Sequence, residues 1–331
     1  MNITHTLRRT TLALTLVASC LSSTAFAERW DMPTGYPDNS YMTENLRDFA
    51  KAVKIATDGE VDIVIHSAGS LFPANEIKRS IQTGQVPIGE RIISAHANEN
   101  AIFGIDSVPF LAPSFEDSVT LWEASKPVMT EILAKQNLVP LFSVPWPSQG
   151  LYSKKKLESI DDLKGMKVRG YNATILHMAE LAGAQGVQIV YAELTQALST
   201  GVADATVGSG SSGYEKKLWE VLKYYYELDM WLPRNLVLVN KKTWDALDKD
   251  TQNAIKGIAV MSESAGLARA KELASWYNSI MTENGMEVSS GSDELQAGFK
   301  KIGDTMAKQW LEKAGPDGQR IIDAFNAAKQ K

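Results

Sequence analysis

A chain of 331 residues with 34 basic and 39 acidic side chains is too long for one comfortable hydrophobic core and points to two lobes. Its acidic balance argues against nucleic acid or anionic lipid as a partner, and a single cysteine excludes a disulfide framework. Beyond the N-terminal region no segment is apolar enough to span a bilayer, so movement of any solute across a membrane falls to other subunits.

Arg8 and Arg9 precede an apolar run from Thr11 to about Leu21 and then Ala25-Phe26-Ala27. Positive start, short apolar stretch and small-x-small site make a secretory signal peptide. The run is about half of the ~20 residues that cross a bilayer. Cleavage after Ala27 leaves a chain with net charge −7 and no cysteine, destined for the periplasm. A rival reading takes Val17-Ala18-Ser19-Cys20 as a lipidation site, with Cys20 as the first mature residue.

Strand and helix patterns then alternate, the signature of an α/β fold. Asn45 to Ala56 places Leu46, Phe49, Ala50 and Val53 on one helical face. Apolar runs at Val61–Ile65, Leu138–Val144, Met166–Gly170 and Val187–Val190 read as buried strands of a parallel or mixed sheet. A helix is predicted from Ser114 to Gln136, opened by Ser114 with Glu116 and Asp117 in its first turn and divided or kinked at Pro127. Ser159 to Gly165 is a short capped turn feeding the strand Met166–Gly170. From Asp248 to about Asn284 the pattern is helical without proline, with Gly257 and Gly266 as weak points. Such a helix is about 50 Å long, more than one lobe requires, and should lie across both. Helical pieces at Asp293–Ala314 and Pro316–Gln330 complete the chain.

Catalytic signatures are missing from the sequence. It contains no His-x-x-x-His and no Gly-x-Ser-x-Gly, and the glycine-serine run Gly208–Gly213 lacks the Lys-Ser/Thr ending of a phosphate loop. His66, His96 and His177 are far apart, so neither a metal nor another cofactor is expected. What stands out is Leu163-Lys164-Gly165-Met166-Lys167-Val168-Arg169-Gly170-Tyr171. A guanidinium at a strand end beside a residue without a side chain can reach into a cleft and hold a carboxylate through two hydrogen bonds. Pairing with a surface neighbour is the alternative.

The segment Ser159–Gly170, the Gly183-Ala184 pair and Ala197-Leu198-Ser199-Thr200-Gly201-Val202-Ala203-Asp204 recur in the order Asp-Leu-Lys-Gly-x-Lys-x-Arg, Gly-Ala, Ala-Leu-x-Thr-Gly-x-x-Asp. In this the chain resembles the TRAP transporter periplasmic substrate-binding family, with further likeness at Ile81–Val86 and Trp231–Trp244. The resemblance implies two α/β lobes with mixed sheets, a long helix crossing both, closure around a small organic acid and delivery to the membrane permease subunits. It assigns the carboxylate to Arg169. Expected boundaries are 1–27 for the signal peptide, 28–148 with 234–272 for lobe I, and 149–233 with 273–331 for lobe II.

Two departures narrow the ligand. Where dicarboxylate and sialic-acid binders of the family carry a second Arg, this chain has Gln149; where Glu-Asn is common, it has Val207-Gly208 opening onto Ser209 and Ser211. One charge partner fewer and neutral donors in its place suit a monocarboxylate. Trp146, Tyr152, Tyr171 and Trp231 cluster about these positions as candidate aromatic walls, suggesting an aromatic or branched 2-oxo or 2-hydroxy acid. An aromatic cage holding a small amine, with Glu90 or Asp106 as counter-charge, is the alternative ligand mode. A periplasmic hydrolase or lyase is the alternative class; it lacks a recognisable nucleophile–base pair.

Overall fold

The structure is a computed structural model, and it describes residues 28–330. The signal peptide, its cleavage site and Cys20 therefore lie outside the described residues. The chain runs through β1 (Glu28–Pro33), α1 (Tyr41–Ala56), β2 (Val61–His66), α2 (Ile77–Gln82), β3 (Ile88–Ile92), α3 (Phe115–Lys135) and β4 (Leu138–Pro145). It continues through β5 (Gly150–Ser153), β6 (Lys167–Gly170), α4 (Ala173–Leu181), β7 (Gln185–Gln188), α5 (Leu194–Ser199), β8 (Ala205–Gly208), α6 (Gly210–Glu215) and β9 (Tyr224–Tyr226). Then follow β10 (Arg234–Asn240), α7 (Lys241–Ala246), α8 (Lys249–Glu283), β11 (Glu287–Ser289) and α9 (Asp293–Lys329).

The sheets sort these elements into two lobes. In the first, β1 and β2 pair in parallel, and β10 lies antiparallel between β3 and β4. In the second, six strands take the order β11-β9-β5-β8-β6-β7, mixed in direction, with β6 parallel to both β7 and β8. Each lobe has its own apolar interior. Trp30, Phe49, Val53 and Phe142 sit in the first, and Val168, Ile175, Val207 and Phe299 in the second.

Local chemistry explains the elements that bear on the site. Helix α1 buries Leu46, Phe49, Ala50 and Val53 as the stripe requires, and starts one turn before the predicted Asn45 because Tyr41 and Met42 are buried too. Helix α3 is capped by Ser114, whose Oγ accepts the Asp117 N–H. It is one helix past Pro127: the carbonyl four residues earlier belongs to exposed Glu123, while Leu121, Trp122, Val128 and Met129 hold the buried face. The turn before β6 is a capping box in which Ser159 and Asp162 satisfy each other's backbone N–H. Gly165 ends it at φ 73°, a left-handed conformation that favours glycine. Strand β7 lies two residues before the predicted run, because its register against β6 ends at Gly170↔Gln188.

Helix α8, at 35 residues, is about 50 Å long. It contributes Ile255, Ala259 and Ala270 to the first lobe and Met281 to the second. Gly266 lets it cross β4: a Cβ there would lie 2.6 Å from Val144 Cγ2. Helix α9 also serves both lobes. Leu295, Phe299 and Met306 pack in the second, the chain kinks at Gly315 (φ 58°), and Ile321 and Phe325 pack in the first. The C-terminal segment beyond the kink, placed with lobe II in the sequence reading, thus shares the core of lobe I. Two further crossings, 145–150 and 226–234, bind each other. Trp146 N–H donates to Pro233 O (2.8 Å), Gln149 N–H to Trp231 O (2.9 Å) and Met230 N–H to Gln149 O (3.1 Å).

Candidate ligand-binding site

Between the lobes lies a cavity of about 80 Å³. It opens where the parallel strands β6, β7 and β8 end, the usual place for a ligand in an open α/β sheet. The second lobe supplies Arg169, Tyr171, the segment 188–191, Ser209 and Ser212; the first supplies Tyr36, Asn75 and Arg91; Trp146 and Gln149 come from a crossing segment.

Arg169 stands at the end of β6 and is 2% exposed. Its Nε donates to the Ile189 carbonyl (2.9 Å), and its guanidinium lies 5.7 Å from the Tyr171 ring centre. Nη2 is buried and donates to no protein acceptor. Burial lowers the pKa to about 10, leaving the group charged at neutral pH. A buried charge without a partner is costly, and Arg169 is one of the residues that line the cavity. On the other side Gly170 fits tightly under α4, where a Cβ would meet Ile175 Cβ at 2.8 Å.

The aromatic wall is held by its own hydrogen bonds. Trp231 Nε1–H donates to the Tyr171 hydroxyl (3.1 Å), which donates to Gln149 Oε1 (3.4 Å), and Gln149 Nε2–H donates to Pro147 O (3.1 Å). Trp146 Nε1–H donates to Asn235 Oδ1 (2.8 Å), while Tyr36 packs on the Trp146 ring at 4.8 Å and on Tyr191 at 5.4 Å. Tyr36 and Tyr191 come from different lobes, so this contact exists only when the lobes are together. Asn172, the N-cap of α4, adds a polar tie across the lobes through Nδ2–H to Ser94 Oγ (3.1 Å).

Of the residues singled out in the sequence, Arg169, Gln149, Trp146, Tyr171 and Ser209 line the cavity. Ser211 shares a hydroxyl hydrogen bond with Ser209 (2.7 Å) from behind. Trp231 acts through Tyr171. Tyr152 is a supporting group: it stacks on Tyr225 at 4.2 Å and its hydroxyl donates to Ser209 O (2.7 Å). Glu90 is buried beside the cavity, accepting from Thr34 (2.7 Å) and Asn235. Asp106 accepts the Arg234 N–H (2.8 Å), also off the cavity. Sequence reasoning missed Arg91, Tyr36 and Tyr191. The first had a signal, since strand alternation makes Glu90 and its neighbour face opposite ways. Tyr36 lies in a loop and Tyr191 opens a short 3-10 turn, neither within a motif. Among the described residues no group of His, Cys, Asp and Glu is arranged to hold a metal.

Comparison with known proteins places this architecture. Residues 33–313 match the family described as bacterial extracellular solute-binding protein, family 7, or DctP. The chain belongs to that family. These are periplasmic solute-binding subunits of TRAP transporters, and the two-lobed α/β architecture with its bridging helix is theirs. Among solved structures, it is similar to a marine metagenome TRAP solute-binding protein specific for pyroglutamate, solved with co-purified pyroglutamate. That match has 44% identity and a TM-score of 0.90, covering 91% of this chain and 99% of the other. It is also similar to DctP6, a Bordetella pertussis extracytoplasmic solute receptor binding pyroglutamic acid, at 41% identity and a TM-score of 0.89, covering 91% and 100%. A curated relative, the monocarboxylate 2-oxoacid-binding periplasmic protein of Nostoc, is 26% identical over 283 residues, 83% of this chain and 77% of its own length.

Proposed function

We propose that this DctP-family subunit captures a small monocarboxylate of the pyroglutamate type between its lobes and presents the closed complex to the membrane permease of a TRAP transporter. The observation that carries the reading is Arg169: a fully buried guanidinium that lines the cavity, with Nη2 unpartnered. A carboxylate is the group that best satisfies it, through charge-assisted hydrogen bonds. Gln149, Ser209 and Ser212 offer neutral polar atoms for a lactam or keto group. The likeness to two pyroglutamate receptors at 41% and 44% identity points the same way. An ammonium ligand fits poorly, since the charged groups lining the cavity are Arg91 and Arg169.

Closure follows from where the contacts lie. Tyr36 on Tyr191 and Asn172 on Ser94 join opposite lobes, so a ligand that bridges Arg169 to the first lobe stabilises the closed state by its differential affinity for it. Titration calorimetry with pyroglutamate, with pyroglutamate amide and with 2-pyrrolidone tests the reading. The acid should bind and the two uncharged lactams should not. Equal binding of the three would overturn the carboxylate assignment.

A further inference from the structure

Two guanidinium groups, Arg91 and Arg169, line one cavity, and neither forms a salt bridge among the described residues. Two unopposed cations would suit a ligand with two carboxylates. What they attract depends on the carboxyl group immediately behind them.

Glu90 precedes Arg91 on β3, is 2% exposed and does not line the cavity. Its two oxygens are met from two sides. Trp146 Nε1 can only donate, so the Asn235 oxygen must face it (2.8 Å). The Asn235 amide N–H₂ therefore faces Glu90 and donates to Oε1. The Thr34 hydroxyl, whose oxygen also accepts the Tyr36 N–H (3.3 Å), donates to Glu90 Oε2 (2.7 Å). Both oxygens of Glu90 are acceptors. That pattern suits a carboxylate that touches no cation, although burial pushes its pKa up to about 7, so the charge is present above that pH. Arg91 and Glu90 act on each other through space.

The surrounding charges pair off. Lys216, 4.5 Å over the Tyr191 ring, is offset by Glu215, which accepts the Tyr191 hydroxyl at 2.5 Å. Asp106 serves Arg234. The groups acting on Arg169 are the neutral hydroxyls Tyr171, Tyr191 and Tyr36.

We propose that Glu90 sets the charge selectivity of the cavity from outside it: its carboxylate offsets Arg91, leaves Arg169 as the one uncompensated cation, and so selects a monoanion over a dianion of similar size. This rests on the preceding reading that Arg169 takes a carboxylate, and it assigns Arg91 the role of a hydrogen-bond donor to a neutral acceptor on the ligand. Selectivity of this kind is a difference between two affinities and is read as a ratio.

The test is calorimetric titration of the wild type and Glu90→Gln with pyroglutamate and with glutarate at about pH 8, where an exposed or moderately shifted carboxyl group is ionised. Gln retains the size of Glu90 and removes its charge. The glutarate-to-pyroglutamate affinity ratio should rise at least about tenfold in Glu90→Gln. An unchanged ratio, with pyroglutamate still bound, overturns this inference and spares the carboxylate reading. Binding of neither acid to any form overturns both. Should Glu90→Gln fail to fold, Arg91→Gln and the Glu90→Gln/Arg91→Gln pair decide it. The single change leaves Glu90 unopposed and should weaken pyroglutamate several-fold more than the double change; equal losses overturn the inference.

Discussion

Arg169 and Arg234 are the same residue under nearly the same burial, 2% and 3% exposed, with pKa values lowered alike by burial to about 10. Their surroundings differ. Arg234, in the first lobe, donates to Ser143 Oγ (2.6 Å), Ser118 Oγ (3.2 Å) and Ser143 O (3.4 Å), with Glu263 at 3.8 Å. Arg169 spends one N–H on a carbonyl and keeps Nη2 buried without a partner at the cavity. A charge satisfied by its own fold is structural. One that the fold leaves unsatisfied at a cleft awaits something from outside.

The sharpest way to break this contrast is to remove each in turn. Arg169→Ala should weaken pyroglutamate about 100-fold or more in calorimetry while leaving the melting temperature unchanged or higher, since an unpaired buried charge is lost. Arg234→Ala should cost about 3–5 kcal/mol of stability in urea unfolding, because it removes the charge partner of Glu263 and the donor to Ser143 and Ser118. The protein that remains folded should bind the acid normally. Similar binding losses in both variants would erase the distinction.

A second test concerns the buried carboxyls. Burial pushes Glu90 up to about 7 from an ordinary 4.5. Its raised value means that its contribution to stability is fully present below about 4.5 and is lost as pH rises through about 7, roughly 3 kcal/mol in all. Glu90→Gln has nothing to lose over that range. Its melting temperature relative to the wild type should therefore climb between about pH 5 and pH 8, and parallel melting curves would contradict the assignment.

The smallest effect belongs to the wall. Trp231→Phe deletes the hydrogen bond to Tyr171 and keeps the packing, so affinity should fall by about 1 kcal/mol, near fivefold. A loss as large as that of Arg169→Ala would mean that Trp231 touches the ligand itself.

How much of this was legible in the sequence divides along the same line. Arg169 could be read because everything that presents it is local: the Ser159–Asp162 cap, Gly165 in a left-handed turn, a four-residue strand and Gly170. The α8 span could be read from a helical pattern free of proline. Tyr36 and Tyr191 could not, because they sit far apart in the chain and meet only when two lobes close, and no sequence period encodes a closure angle. Glu90 was noticed for its charge, yet its partners Thr34 and Asn235 are 56 and 145 residues away. Pro127 does not divide α3, because a proline rule states the cost of a lost hydrogen bond and not whether an exposed carbonyl can bear it.

The central claim is that the free face of Arg169 grips the carboxylate of a small acid between the closed lobes. A crystal structure of the protein with pyroglutamate tests it most directly. The account predicts a carboxylate oxygen within hydrogen-bond distance of Arg169 Nη2, with the lactam ring against Trp146 and Tyr171. A carboxylate seated on Arg91 with Arg169 Nη2 still unpartnered, or a ligand bound outside the interlobe cavity, would contradict it.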